Sequence, residues 1–310
     1  MILYSYRGDH DERVPSNVSH VIIEESVTTI KEEAFYNCHS LVSVIMGDSV
    51  HTIEFAAFSH CRALQFIRLS KTLKVIGIDA FRDCRSLNAL FLPSTVNVIQ
   101  GWSFQYCRSL RFLILPDDFN LSHVGNMIIR GTPIHQFAEA AGIGYEFDYP
   151  EATDGISPRI NEWLFRHMDE SPFHKGCYDS SITTRKVNDY LNEHGKASAF
   201  AVDAIHGMTP LHILAMNPYA SADTIAALHI SNTQAALSAD NQGKTTLEYA
   251  RDNNVGGMVE ILMELCNHKN AAIPIEDTHS SQLGRLCCLP IPRLFHSCFQ
   301  NDESKDPEPE

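Results

Sequence analysis

The chain has 310 residues, 44% hydrophobic and 20% charged, and its 24 basic against 38 acidic side chains give a formal charge of −14. This composition excludes a chain disordered throughout, a collagen and a dedicated coiled coil, and the length predicts two modules or a repeat array with an appendage. Residues 1–147 carry −3, residues 148–266 carry −8 and residues 267–310 carry −3, so no segment is basic and nucleic acid is a poor partner.

At the N-terminus the apolar start Met1-Ile2-Leu3-Tyr4 meets Arg7, Asp9, Asp11 and Glu12 too early for a secretion signal. No stretch approaches the ~20 apolar residues of a membrane span. The expected setting is cytoplasmic, where the nine cysteines are free thiols rather than a disulfide framework.

From residue 18 onward a step of 23 residues organises the sequence: Phe35, Phe58, Phe81 and Phe104 recur with it, as do Cys38, Cys61, Cys84 and Cys107. Leu41, Leu64, Leu87 and Leu110 share the register, followed by Val44, Ile67, Leu90 and Leu113, then Met46, Leu69, Leu92 and Leu115. One such unit cannot close a core, so the units are predicted to stack as a solenoid in which each column meets its own copy one coil away. Pairs such as Leu90 and Leu92 point inward from short parallel strands, and Phe and Cys fill the return side. At a fixed step beside large apolar side chains, the four thiols read as small core hydrophobes and not as metal ligands or nucleophiles. Pro133 to Phe147 is predicted to close this solenoid with a short helix and a glycine stop.

The pattern resembles the BspA-like, Treponema-type class of leucine-rich repeats, best at Ala80-Phe81, Cys84, Ser86-Leu87 and Leu92-Pro93-Ser94. The resemblance covers about residues 18–147 and implies binding by a repeat surface, with no catalytic residues to carry over.

Residues 148–157 mix Asp, Pro, Glu and Gly and read as a linker. In 158–266, Ile160, Trp163, Leu164 and Met168 share one helical face. Further on, Gly207-Met208-Thr209-Pro210-Leu211-His212 looks like the ankyrin signature, flanked by weaker copies at Ser171-Pro172-Phe173-His174 and Gly243-Lys244-Thr245-Thr246-Leu247. Second-helix patterns follow each copy, at Val187/Leu191, Ile225/Leu228 and Val259/Leu262. The reading is an all-α, ankyrin-like array of three units, with an irregular bundle of the same helices as the alternative. The fold class is thus an α+β repeat protein: a leucine-rich solenoid with caps over 1–147, then helices over 158–266.

The tail, 267–310, reads as disordered apart from one apolar cluster around Cys287 and Cys288, where reversible acylation is the chemistry to weigh. Zinc binding there has poor ligand spacing. Gly243-Lys244-Thr245 resembles the end of a phosphate loop but has Ser238 where that loop needs glycine. No catalytic, cofactor or metal residue is assigned.

Period-2 alternation sends His20/Ile22, Ser43/Ile45, Phe66/Arg68, Ala89/Phe91 and Phe112/Ile114 outward across five strands. That stripe is too apolar for an idle surface, so Ile22, Ile45, Phe66, Arg68, Phe91, Phe112 and Ile114 are the expected partner-binding residues. Two alternatives stay open: a one-residue register error, or cover by the chain's own acidic helical half meeting Arg68 and Arg111. The function expected is a non-enzymatic scaffold for protein partners. Membrane attachment enters only if the tail is acylated, and an enzyme with an unrecognised site is the remaining rival.

Overall fold

The computed structural model describes residues 2–9, 12, 14–145, 158–231 and 233–253. The predicted linker 148–157, the Val259/Leu262 pair and the tail with Cys287 and Cys288 lie outside these residues.

The N-terminal half winds into a solenoid with two parallel sheets. One contains β1 (Leu3–Tyr6), β2 (His20–Ile23), β4 (Ser43–Met46) and β6 (Phe66–Arg68), in that order. The other contains the two-residue strands β3 (Thr29–Ile30), β5 (Thr52–Ile53), β7 (Val75–Ile76) and β8 (Val98–Ile99). Strand partners such as Val21 with Val44, Val44 with Ile67 and Ile30 with Ile53 bring each apolar column onto itself. Inside, the rings of Phe35, Phe58 and Phe81 stack with centroids 4.8 and 5.3 Å apart, and Phe104 continues the stack at 5.9 Å. Beside them runs a ladder of buried thiols. Three of them donate to a carbonyl of the preceding coil: Cys61 Sγ to Phe35 O at 3.1 Å, Cys84 Sγ to Phe58 O at 3.1 Å and Cys107 Sγ to Phe81 O at 2.9 Å. Burial pushes the Cys38 thiol up to about 11 and raises those of Cys61 and Cys84 strongly, which removes the thiolate that reactivity needs.

Tight corners close every coil, and they are built without glycine. Glu33, Ala56, Asp79 and Trp102 occupy one left-handed column, and Asn37, His60, Asp83 and Tyr106 a second, with φ between 51° and 63°. Asp83 is nearly buried there and accepts from His60 Nδ1, Arg62 Nε and Arg85 Nε at 3.0, 3.1 and 2.7 Å. Burial alone would raise its pKa, but these hydrogen bonds win and hold it at about 2.

The solenoid closes with α1 (Pro133–Ala140), capped by the Thr132 side chain and stopped before Gly142 at φ 75°. The helices α2 (Pro158–Arg166), α3 (Pro172–Tyr178), α4 (Thr184–His194), α5 (Pro210–Met216), α6 (Ala222–Ser231) and α7 (Thr246–Asn253) then form a layer. Helix α3 packs on α5 and α5 on α7, while α4 packs on α6, so alternate helices stack in two rows. Thr209 and His212 form a reciprocal cap at the start of α5, and the other ring nitrogen of His212 donates to Ser238 O at 2.9 Å. His174, in the same place on α3, donates to Met208 O at 2.9 Å. Both histidines bind the loop of the next helix pair, a structural task for a side chain with one donor and one acceptor nitrogen.

Candidate interaction surface

The strand face of the solenoid is divided. Val44 and Met46 point inward and are fully buried, as alternation requires. Of the outward residues, Ile22, Phe66 and Arg68 stay partly exposed. Ile45, Phe91, Phe112 and Ile114 do not: their relative exposures are 8%, 3%, 0% and 1%. An open binding stripe along the whole face is therefore corrected at these four positions. For the last three the cause is the helical layer, since Phe91, Phe112 and Ile114 belong to one apolar cluster with Met168, Phe173, Cys177 and Tyr178.

The strands expected at 89–92 and 112–115 also give way, leaving one bridge between Ala89 and Phe112. Their backbone groups go elsewhere. The Tyr178 hydroxyl donates to Leu90 O and accepts from Leu92 N at 3.1 Å, while its ring stacks on Phe91 at 4.7 Å and meets Phe112 edge-on at 5.5 Å. One α3 side chain thus covers apolar area and satisfies two strand groups that would otherwise be buried and unpaired. Tyr219 does the same one coil away, donating to Leu69 O at 2.9 Å beneath the Arg68 guanidinium 5.8 Å from its ring. Arg68 itself is held by Met46 O at 2.8 Å and Asp48 at 3.1 Å, so most of its charge is answered within the solenoid.

At the far end of the face an ion pair is sealed in. Arg111 Nη1 lies 2.8 Å from Asp240 Oδ2 and 3.0 Å from the Tyr249 hydroxyl, and Tyr249 donates to the same carboxylate at 2.6 Å. The arginine and aspartate side chains are 5% and 0% exposed. Burial works to raise the Asp240 pKa, but the bonds from Tyr249 and from the backbone at Gln242 and Lys244, with the arginine charge, pull it below its ordinary value. Next to it, Arg111 O faces His206 Nε2 at 2.9 Å, and His206 Nδ1 faces Asp203 Oδ1 at 2.9 Å.

Sequence reasoning placed an acidic partner near Arg111 without naming Asp240. It missed Tyr178, Tyr219, Asp203 and His206 altogether, because a lone tyrosine hydroxyl carries no spacing signal. Where solenoid and helices meet at the surface, Lys175 Nζ bridges Asp117 and Asp169 at 2.7 Å each, beside an open cavity of about 380 Å³ that Asp179 also lines. Lys175 answers two of those acids. Among the described residues no group of three or more His, Cys, Asp or Glu is placed to hold a metal ion, and no helix is long and apolar enough to cross a membrane.

Comparison with solved structures finds a leucine-rich repeat protein of T. pallidum at 27% identity and a TM-score of 0.36, covering 41% of this chain and 58% of that one. A leucine-rich repeat protein from Bacteroides ovatus is 35% identical over 37% of this chain and 29% of its own, with a TM-score of 0.34. A leucine rich cell surface protein from Faecalibacterium prausnitzii is 32% identical over 34% and 29%, also with a TM-score of 0.34. The chain thus spans less than two thirds of each of these proteins. No curated protein matches the sequence. The model of the BspA type leucine rich repeat region matches residues 14–132 in six copies, the segment that holds the stacked columns described above.

Proposed function

We propose that the chain is a non-enzymatic, cytoplasmic protein-binding scaffold whose strand face serves two purposes. The 23-residue unit is its coil repeat, and the helices form an ankyrin-like array in which the caps at Thr209 and Thr245 start successive first helices. Over the last coils the face is an internal dock for the helices. Over the first coils His20, Ile22 and Phe66 remain as the partner site.

The observation that carries this reading is the gradient along one face: Phe91, Phe112 and Ile114 are sealed under α3 and its neighbours, whereas Ile22 and Phe66 are only half covered. Half-exposed apolar side chains on one strand face are what a docking site leaves open in the free protein.

A photo-crosslinking side chain in place of Ile22 in the intact chain tests it, with the same probe at Ile230, 78% exposed on α6, as control. The expected result is a discrete protein adduct from position 22 alone, lost in Phe66→Ser. Equal adducts from both positions, or an adduct that survives Phe66→Ser in a folded chain, would remove the assignment.

A further inference from the structure

The solenoid carries a second apolar surface, away from the strand face. Phe55, Ile78 and Trp102 are 41%, 37% and 40% exposed, and Tyr36 is 42% exposed. Phe55, Ile78 and Trp102 sit on the corners that follow the short strands β5, β7 and β8. Backbone bonds hold these corners in register: Glu33 N donates to Phe55 O at 3.0 Å, Ala56 N to Ile78 O at 2.9 Å and Asp79 N to Gly101 O at 3.2 Å. Phe55, Ile78 and Gly101 are therefore one column on successive coils about 4.8 Å apart. Glycine leaves the third place empty, and the next residue, Trp102, supplies the apolar side chain from a left-handed conformation, φ 57°. Neighbouring coils put Glu33, Ala56 and Asp79 at that position. A large exposed ring in a strained backbone setting contributes nothing to the core, which points to a role at the surface.

Acids rim this ladder. Glu32, Glu33 and Glu54 are exposed and Asp79 is half-buried, against Lys31 and the Arg82 that pairs with Asp79 at 3.2 Å. The complementary occupant is apolar and basic, and the chain contains such a segment. Residues 283–299 hold Leu283, Leu286, Leu289, Ile291, Leu294 and Phe295 with Arg285 and Arg293, and no acid lies between Asp277 and Asp302. In a chain of net charge −14 this is an isolated cationic, apolar stretch. Helix α7 ends at Asn253. The ~30 residues from there to 283 have a maximum reach of about 100 Å, enough to reach any coil.

We propose that the segment 283–299 docks in cis on the Phe55/Ile78/Trp102 ladder, its arginines facing Glu32, Glu33 and Glu54. Cys287 and Cys288 then lie over the ladder, where docking would withhold them from acylating enzymes.

Disulfide trapping in the full-length chain tests this. Ile78→Cys is oxidised with diamide at low protein concentration, and its bonding to Cys287 or Cys288 is mapped by mass spectrometry; Ile230→Cys and Val202→Cys, both strongly exposed positions, are controls. The buried Cys38, Cys61, Cys84, Cys107 and Cys177 do not compete. Docking raises the local concentration of the tail thiols, so trapping from position 78 is expected about tenfold faster than from either control, falling to control rates when Arg285 and Arg293 are both changed to Glu. Equal rates at all three positions would overturn the proposal. So would a product linking two chains at a rate that rises with concentration, since the occupant would then be a second copy. Acrylamide quenching gives an independent reading: Leu286→Asp with Leu289→Asp should expose Trp102, and quenching unchanged by that variant would count equally against docking.

Discussion

The two halves of this molecule reach stability by opposite means. In the solenoid the same side chain meets itself on every coil, so Phe stacks on Phe and thiol follows thiol, and hardly a charge is needed inside. The helical layer is heterogeneous: His174, Asp203, His206, His212 and Asp240 are all buried, each with a specific partner. Periodic packing tolerates a missing atom in one coil because its neighbours are alike, whereas a buried polar network fails when one member is removed. The seam between the halves combines both kinds, with Phe91, Phe112 and Ile114 from the periodic side and Tyr178, Asp240 and Tyr249 from the other.

Four experiments would break or sharpen this contrast. The largest effect is expected at the seam: Phe112→Ala should cost about 3–5 kcal/mol in urea unfolding, and the signals of both halves should shift together. If only the helical signal moves, the halves unfold separately. Next, Arg111→Met leaves the Asp240 carboxylate sealed without its arginine and should cost about 3 kcal/mol or more. Combining it with Asp240→Leu should recover at least about 1 kcal/mol relative to the sum of the single variants, and simple additivity would show that the pair is not coupled.

Acid should draw on the two halves over different pH ranges. Burial and the neighbouring His206 charge lower the His167 pKa to about 4, and burial lowers those of His174 and His212. A histidine held neutral in the fold supports it fully above about pH 6.5, and that support drains as pH falls toward the lowered value, at up to about 1.4 kcal/mol per pH unit per group. Asp83 in the solenoid, with its pKa at about 2, keeps its contribution until pH drops below about 4. Urea unfolding followed by circular dichroism should therefore show stability falling between pH 6.5 and 4, and His167→Leu should flatten that slope. The smallest effect is expected at Cys84→Ser, about 1 kcal/mol, because a hydroxyl can still donate to Phe58 O; a loss above about 3 kcal/mol would mean that thiol packing matters more than its hydrogen bond.

Inward columns could be read from sequence because one spacing repeats, and Val44, Cys61 and Leu87 are all buried where the period puts them. The left-handed corners could not, since Glu33, Ala56, Asp79 and Trp102 share no residue type and none is glycine. Nor could the fate of the outward column: Phe66 and Phe112 look equivalent along the repeat, and only helices far downstream in the chain, with no periodic relation to it, seal one and leave the other open. The Pro172-Phe173-His174 and Pro210-Leu211-His212 motifs are visible in the sequence, but their partners are the backbone carbonyls of Met208 and Ser238, which no side-chain pattern marks.

Three anchors from the helical layer land on consecutive turns of the solenoid: Tyr219 on Leu69, Tyr178 on Leu90 and Leu92, His206 on Arg111. Together they act as a splint laid lengthwise across the coils. A coil spring pinned along one end cannot flex or unwind there, so bending is confined to the unsplinted turns, and unravelling has a fixed direction. It begins at β1, whose outer edge has no partner strand among the described residues, and must cross β2 and β4 before reaching a pinned turn.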